Sequence, residues 1–180
     1  VRAVSHAGFF APTPVQAMAI PPALQGSDLC VRAVTGSGKT AAYMLPLIHH
    51  LITTSPYPKH GSYRRHPRSM VLVPSRELAQ QCEGSAKQFG QFCTEFSHVV
   101  VMGGVAAQAQ EAALANGPDL VIATPGRLCD VYTNFDLSSG SHRALQAATA
   151  MADGAEASPD MIAGGSIARS RLHYSQHSQT

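Results

Sequence analysis

Three short apolar runs rich in β-branched residues constrain the fold most: "SMVLVPS" (69–75), "HVVVMGG" (98–104) and "DLVIATPG" (119–126). Each is apolar at successive positions, so both faces of the pleated chain are apolar. That pattern belongs to strands covered on both sides. "DLCVRAV" (28–34) is a weaker fourth. Helical spacing fills the intervals. Met44, Leu47, Ile48, Leu51 and Ile52 share one face of 39–52, and Leu78, Cys82, Ala86 and Phe89 share one face of 76–92. The Ala- and Gln-rich stretch 105–115 is expected to be helical as well. Pro46 brings no backbone donor and should bend the first of these helices. Strands that alternate with helices predict an α/β fold with a mostly parallel sheet and helices on both faces.

A chain of 180 residues can bury one real core. Its net charge of +2 argues neither for nor against a nucleic-acid partner. Four scattered cysteines (Cys30, Cys82, Cys93, Cys129) without a C-x-x-C pair fit free thiols in a reducing compartment. No apolar run is long enough for a membrane span, and no basic-then-apolar leader opens the chain. Cytosol or nucleus is the expected location. Two segments break the strand and helix rhythm. "SPYPKHGSYRRHPR" (55–68) is a basic loop in which Lys59, Arg64, Arg65 and Arg68 form the one basic cluster, readable as a solvated loop or as an auxiliary RNA contact. From Gly140 the chain becomes rich in Ala, Ser and Gly and contains neither Val nor Phe. Residues 1–139 are therefore read as one domain. Residues 140–180 are read as a low-complexity tail, mostly disordered, with a short helix near 143–152.

"AVTGSGKT" (33–40) is shaped to hold phosphates. A strand turning sharply into a helix presents unpaired N–H groups, and the helix dipole adds to their attraction for an anion. Gly36 and Gly38 let the backbone curl where side chains would clash. Lys39 can reach outer phosphates, and the Thr40 hydroxyl can take a place on Mg²⁺. Thr35 and Ser37 complete the turn. The general pattern G-x-x-x-x-G-K-[ST] is broken at its first position, where Ala33 stands. Upstream, "GFFAPTPVQ" (8–16) ends in Gln16, whose amide can pair with both N6 and N7 of adenine. The same stretch also reads as a Pro-rich turn capping an apolar helix.

In order along the chain stand "GFFAPTPVQ", "AVTGSGKT", "PSRELAQQ" (74–81), "GG" (103–104) and "TPGR" (124–127). Together they closely resemble the first RecA-like lobe of the DEAD-box RNA helicases, over residues 4–139. Ala33 is itself that family's form. "QEAALANGPDLVIATPGRL" further resembles helicases of large-ribosomal-subunit assembly in the nucleolus. The resemblance implies ATP with Mg²⁺ as cofactors. It also implies sequence-independent contacts to an RNA backbone from Pro74, Ser75, Arg76, Gly103, Gly104, Thr124, Pro125, Gly126 and Arg127. Arginine forks suit phosphate, glycines allow close approach, and Ser75 keeps the hydroxyl of the family's usual threonine. On their own, "SRELAQQ" also reads as a helix start with Ser75 as its cap, and "TPGR" as an ordinary turn after a strand.

No Asp-Glu pair follows Arg127, so the family's D-E-A-D motif is not among these residues, nor is its S-A-T motif or second lobe. The expected fold is therefore a RecA-like lobe cut before the D-E-A-D strand. The "LCVRA" strand would then be left with an unpaired edge. Three functions stay open: part of an ATP-dependent RNA helicase, a nucleotide- and RNA-binding module without turnover, and a truncated product without function. No metal site is expected apart from Mg²⁺ carried with the nucleotide.

Overall fold

The structure, a computed structural model, describes residues 2–54 and 67–133. The calls on Lys59, Arg64 and Arg65, on the helix near 143–152 and on the tail lie outside those residues. The described chain folds in the order α1 (Arg2–His6), α2 (Pro14–Leu24), α3 (Lys39–Thr53), β1 (Ser69–Leu72), α4 (Arg76–Gly90), β2 (His98–Val101), α5 (Ala107–Ala115), β3 (Leu120–Ala123) and α6 (Pro125–Thr133).

The three strands form one parallel sheet in the order β1-β3-β2. β3 is central, and Leu120, Val121, Ile122 and Ala123 are all fully buried, as a strand covered on both faces requires. Successive side chains of a strand point to opposite faces, and the core divides accordingly. Leu120 and Ile122 join Val71, Val73 and the inner faces of α3 and α4, represented by Met44, Ile48, Cys82 and Phe89. Val121 and Ala123 join Val101, Leu114 of α5, and Leu128 and Val131 of α6. Helices thus cover both faces, and the expected α/β, RecA-like architecture is what forms.

Two helix faces are rotated from their expected positions. On α4, Ala79 is buried with Cys82, Ala86 and Phe89, whereas Leu78 is 39% exposed. The small residue joins the core cluster under the sheet, and the larger one lies at the surface. On α3, Ile52 is exposed, and Ala41 and Ala42 enter the core instead. α3 runs unbroken through Pro46, whose missing donor leaves the Ala42 carbonyl without its intrahelical partner.

Residues 28–34 are not a strand. They lie outside the sheet, with Leu29, Val31 and Val34 exposed. A strand is defined by its neighbours, and among the described residues none pairs with this segment. Apolar, β-branched composition alone cannot supply the missing hydrogen bonds.

Arg68, read from the sequence as part of a basic loop, is a structural clamp. Its Nη1 donates to Leu51 O at 2.9 Å and to Asp119 Oδ1 at 3.1 Å, and its Nη2 donates to Thr54 O at 3.1 Å. Asp119 in turn accepts from Ser97 N at 3.0 Å and Ser97 Oγ at 3.1 Å. One ion pair therefore ties the last turn of α3 to the starts of all three strands.

Candidate functional site

Parallel strands place their carboxyl ends on one edge, where open α/β sheets bind ligands. β1 ends at Leu72 and is followed by Pro74–Arg76; β2 ends at Val101, before Gly103–Gly104; β3 ends at Ala123, before Thr124–Arg127. The three groups lie far apart in the chain, yet the topology puts them together. The 33–40 loop belongs to the same edge. The Arg68 clamp holds the carboxyl end of α3 at the opposite, amino edge of the sheet. α3 therefore runs antiparallel to the strands. Its 15 residues span about 22 Å, which brings its amino end to the carboxyl edge.

At that amino end, Gly36 and Gly38 adopt φ of 81° and 90°, left-handed values that favour glycine. At Gly36 a Cβ would meet nothing, so the turn is open. A Cβ on Gly38 would collide with Gln16 Nε2. Lys39 folds back, its Nζ donating to Ala33 O at 2.7 Å and Val34 O at 2.6 Å. Gln16 is likewise engaged. Its Nε2 donates to Gly38 O at 3.2 Å, and its Oε1 accepts from Thr13 N at 3.1 Å. The capping alternative weighed for Gln16 is what forms, and the same side chain also touches the 33–40 loop. Among the described residues the buried Ser37 Oγ in this loop has no hydrogen-bond partner. An orphaned polar atom beside the first, unpaired N–H groups of a helix suits a polyphosphate.

One turn into α3, the Tyr43 hydroxyl lies 3.0 Å from Cys82 Sγ on α4. Burial, and then the Cys82 contact, push the phenol's pKa well above its usual value, while a hydrogen bond with the Thr40 side chain works the other way. Nothing in residue spacing pointed to this link between the two helices.

At the remaining turns, Ser75 caps α4, its Oγ accepting from Leu78 N at 3.3 Å. The helix-start reading of "SRELAQQ" thus holds, with the segment at the carboxyl edge of the sheet. The Glu77 carboxyl is held below its usual range by its own backbone N–H and then by the Ser75 side chain. The exposed Arg76 guanidinium lies over the glycine pair. A Cβ on Gly103 would come within 2.9 Å of Arg76 Nη2, and one on Gly104 (φ 87°) within 3.0 Å of Nη1. The glycines therefore admit an arginine. "TPGR" is not an ordinary turn: Pro125 opens α6, the first helical position that proline favours. Arg127 is partly committed inside the protein, with Nε donating to Gln110 Oε1 at 3.1 Å and Nη2 to Val105 O at 2.9 Å. Gln110, buried on α5, had no signal in the sequence beyond an Ala- and Gln-rich helix. Among the described residues no cluster of His, Cys, Asp and Glu could hold a metal, and no helix is long and apolar enough to cross a membrane.

Comparison with known proteins places this geometry. Residues 13–151 match the DEAD/DEAH box helicase family. The probable ATP-dependent RNA helicase ddx27 of Dictyostelium discoideum is 44% identical over 134 residues, 74% of this chain and 16% of that protein. The ATP-dependent RNA helicase DRS1 of Lodderomyces elongisporus is 42% identical over 134 residues, 74% of this chain and 18% of that protein. The crystal structure of the RNA helicase Prp28 from Chaetomium thermophilum bound to ADP superposes with a TM-score of 0.64 at 42% identity, covering 74% of this chain and 31% of that one. The chain thus spans less than a fifth of the length of those two curated relatives. With motifs, topology and relatives in agreement, the chain belongs to the DEAD/DEAH box helicase family and carries its N-terminal RecA-like lobe.

Proposed function

We propose that this chain binds ATP with Mg²⁺ at residues 33–40 and the sugar-phosphate backbone of RNA along the neighbouring turns, as one lobe of an ATP-dependent RNA helicase. The observation that carries the reading is the shared carboxyl edge, where the start of α3 and the turns after β1, β2 and β3 converge. Phosphate oxygens would replace Ala33 O and Val34 O as acceptors for Lys39, and would meet Ser37 Oγ and the open turn at Gly36. Thr40 would hold Mg²⁺, which supplies charge neutralisation between the phosphates. Gln16 retains one N–H and one lone pair beyond its two internal bonds, enough for the N6 and N7 edge of adenine. Arg76 and Arg127 would contact RNA phosphates, with Pro74, Ser75, Gly103, Gly104, Thr124, Pro125 and Gly126 shaping the surface. The similarity to the ATP-dependent RNA helicases ddx27 and DRS1 supports the helicase reading, and the resemblance of "QEAALANGPDLVIATPGRL" motivates the proposal of a role in nucleolar ribosome assembly.

Because no Asp-Glu pair follows Arg127, the 180-residue chain alone is proposed to bind without turnover. Titration with a fluorescent ATP analogue tests the nucleotide half. Saturable binding abolished in Lys39→Ala is the expected result, and binding unaffected by that substitution refutes it. Anisotropy of labelled single-stranded RNA tests the other half.

A further inference from the structure

We infer that Gln110 is a positioning residue for RNA binding, acting as a buried amide that fixes both Arg127 and the Gly103–Gly104 turn. The inference rests on the proposed RNA-contacting role of Arg127. Gln110 is 3% exposed and is the one buried polar residue among those described. A buried amide must be hydrogen-bonded to be tolerated, and here both ends are used. Nε2 donates to Met102 O at 2.8 Å, just before the glycine pair, and Oε1 accepts from Arg127 Nε at 3.1 Å. Those partners fix the orientation of the amide, since a carbonyl requires a donor and a guanidinium N–H requires an acceptor. Arg127 then closes the far side of the same turn through Nη2 and Val105 O at 2.9 Å. The glycine turn is thus pinned at both ends by one side-chain chain, Met102–Gln110–Arg127–Val105.

The consequence for recognition is geometric. With Nε and Nη2 engaged, the guanidinium plane is set before RNA arrives. Arg76, lying over Gly103 and Gly104, is aligned by the same turn. An arginine held in this way loses little rotamer freedom on binding, and that preorganisation favours affinity.

The test uses the 180-residue chain and fluorescein-labelled ten-nucleotide oligouridylate, with anisotropy measured across a salt series. Arg127→Ala should weaken binding about tenfold, the scale of a hydrogen bond to a charged group, and reduce the log–log salt slope by about 0.7. Gln110→Leu should reproduce both changes, and combining the two substitutions should add little further loss. Gln110→Glu keeps an acceptor for Arg127 Nε and should retain the Arg127 share of the slope, which also covers the case in which the leucine variant fails to fold. A role confined to stability would shift the melting temperature but leave the salt slope of the folded protein unchanged, and that result overturns the inference. So do additive losses in the double variant. Wild-type affinity and slope in Arg127→Ala would instead refute the RNA-contacting role itself, and this inference with it.

Discussion

Replacing Asp119 by Asn tests the clamp that holds α3 antiparallel to the sheet. Asp119 accepts three bonds, from Arg68 Nη1 at 3.1 Å, Ser97 N at 3.0 Å and Ser97 Oγ at 3.1 Å. The Arg68 and Asp119 side chains are only 13% and 18% exposed, so the pair is largely sheltered from solvent screening. An amide has nearly the shape of the carboxylate, but one of its ends must then face a donor: either the Arg68 guanidinium or the Ser97 N–H. At least one bond to a charged group is lost, at about 1.5–3 kcal/mol, with a further penalty for the donor left facing a donor. A total of about 3 kcal/mol is expected, a large share of the roughly 5–15 kcal/mol that holds a domain. With a urea slope of about 2 kcal/mol/M, the unfolding midpoint should fall by about 1.5 M. Arg68→Met removes the other partner and frees Leu51 O and Thr54 O, so a double-mutant cycle should return a coupling of about 1–3 kcal/mol. A midpoint shift below about 0.3 M for Asp119→Asn, or a coupling indistinguishable from zero, would show that the clamp does not hold α3 in place.

Further outcomes follow from the site and the sheet. Gln16→Ala should erase any preference for ATP over GTP in parallel nucleotide titrations; equal affinities in the unsubstituted chain would remove the base-reading role of Gln16. RNA-stimulated phosphate release by the 180-residue chain should stay at background. Arginine fingers alone contribute about 10³–10⁵ in rate, so release that disappears in Lys39→Ala would overturn this. Two phosphate contacts, from Arg76 and Arg127, set a log–log salt slope of about −1.4 for a single strand. With Arg68 committed to its clamp, a slope of about −3.5, lost on neutralising Arg64 and Arg65, would make the rest of the 55–68 loop an RNA contact. His98, at the start of β2, has its pKa lowered from 6.5 chiefly by burial; Glu83 raises it and Lys87 lowers it. The unfolded chain then binds the proton more readily, so the contribution of His98 is full above pH 6.5 and is lost as pH falls from there through the lower folded value. Denaturant titrations from pH 7.5 to 5 should show this decline, and His98→Phe should flatten it.

Legibility differed sharply between elements. The β3 run "LVIA" was plain because a strand covered on both faces needs apolar residues at every position, and all four are fully buried. "LCVRAV" has similar composition and forms no strand, because hydrogen-bond partners come from neighbouring segments and not from the run itself. Helix existence was clear from spacing, but helix rotation was not. Leu78 is the more hydrophobic choice, yet Ala79 is the one buried in the core cluster. Arg68 was hidden among basic neighbours. Its role depends on Asp119, 51 positions away in the chain, and on carbonyls at the end of α3, a relation that no local window contains.

The residues of the proposed site could be named from the sequence, and their hydrogen bonds could not. Order and spacing picked out Gln16, Lys39, Arg76 and Arg127, since those side chains have the right donors for a nucleotide and for phosphates. Gln16, Lys39 and Arg127 are already engaged within the protein. Lys39 is held by Ala33 O and Val34 O, and Arg127 by Gln110 and Val105. Ligand binding at such a site is an exchange of partners, so its free energy is the difference between phosphate and carbonyl acceptors and not the full strength of a new bond. For Lys39 the exchange is favourable on electrostatic grounds, because an ionised phosphate is a stronger acceptor for an ammonium group than a neutral carbonyl. Gln16 has no comparable gain, since one neutral acceptor would replace another. What it can offer adenine is therefore the N–H and lone pair left over by Gly38 and Thr13, and retaining those two internal bonds keeps that remainder oriented.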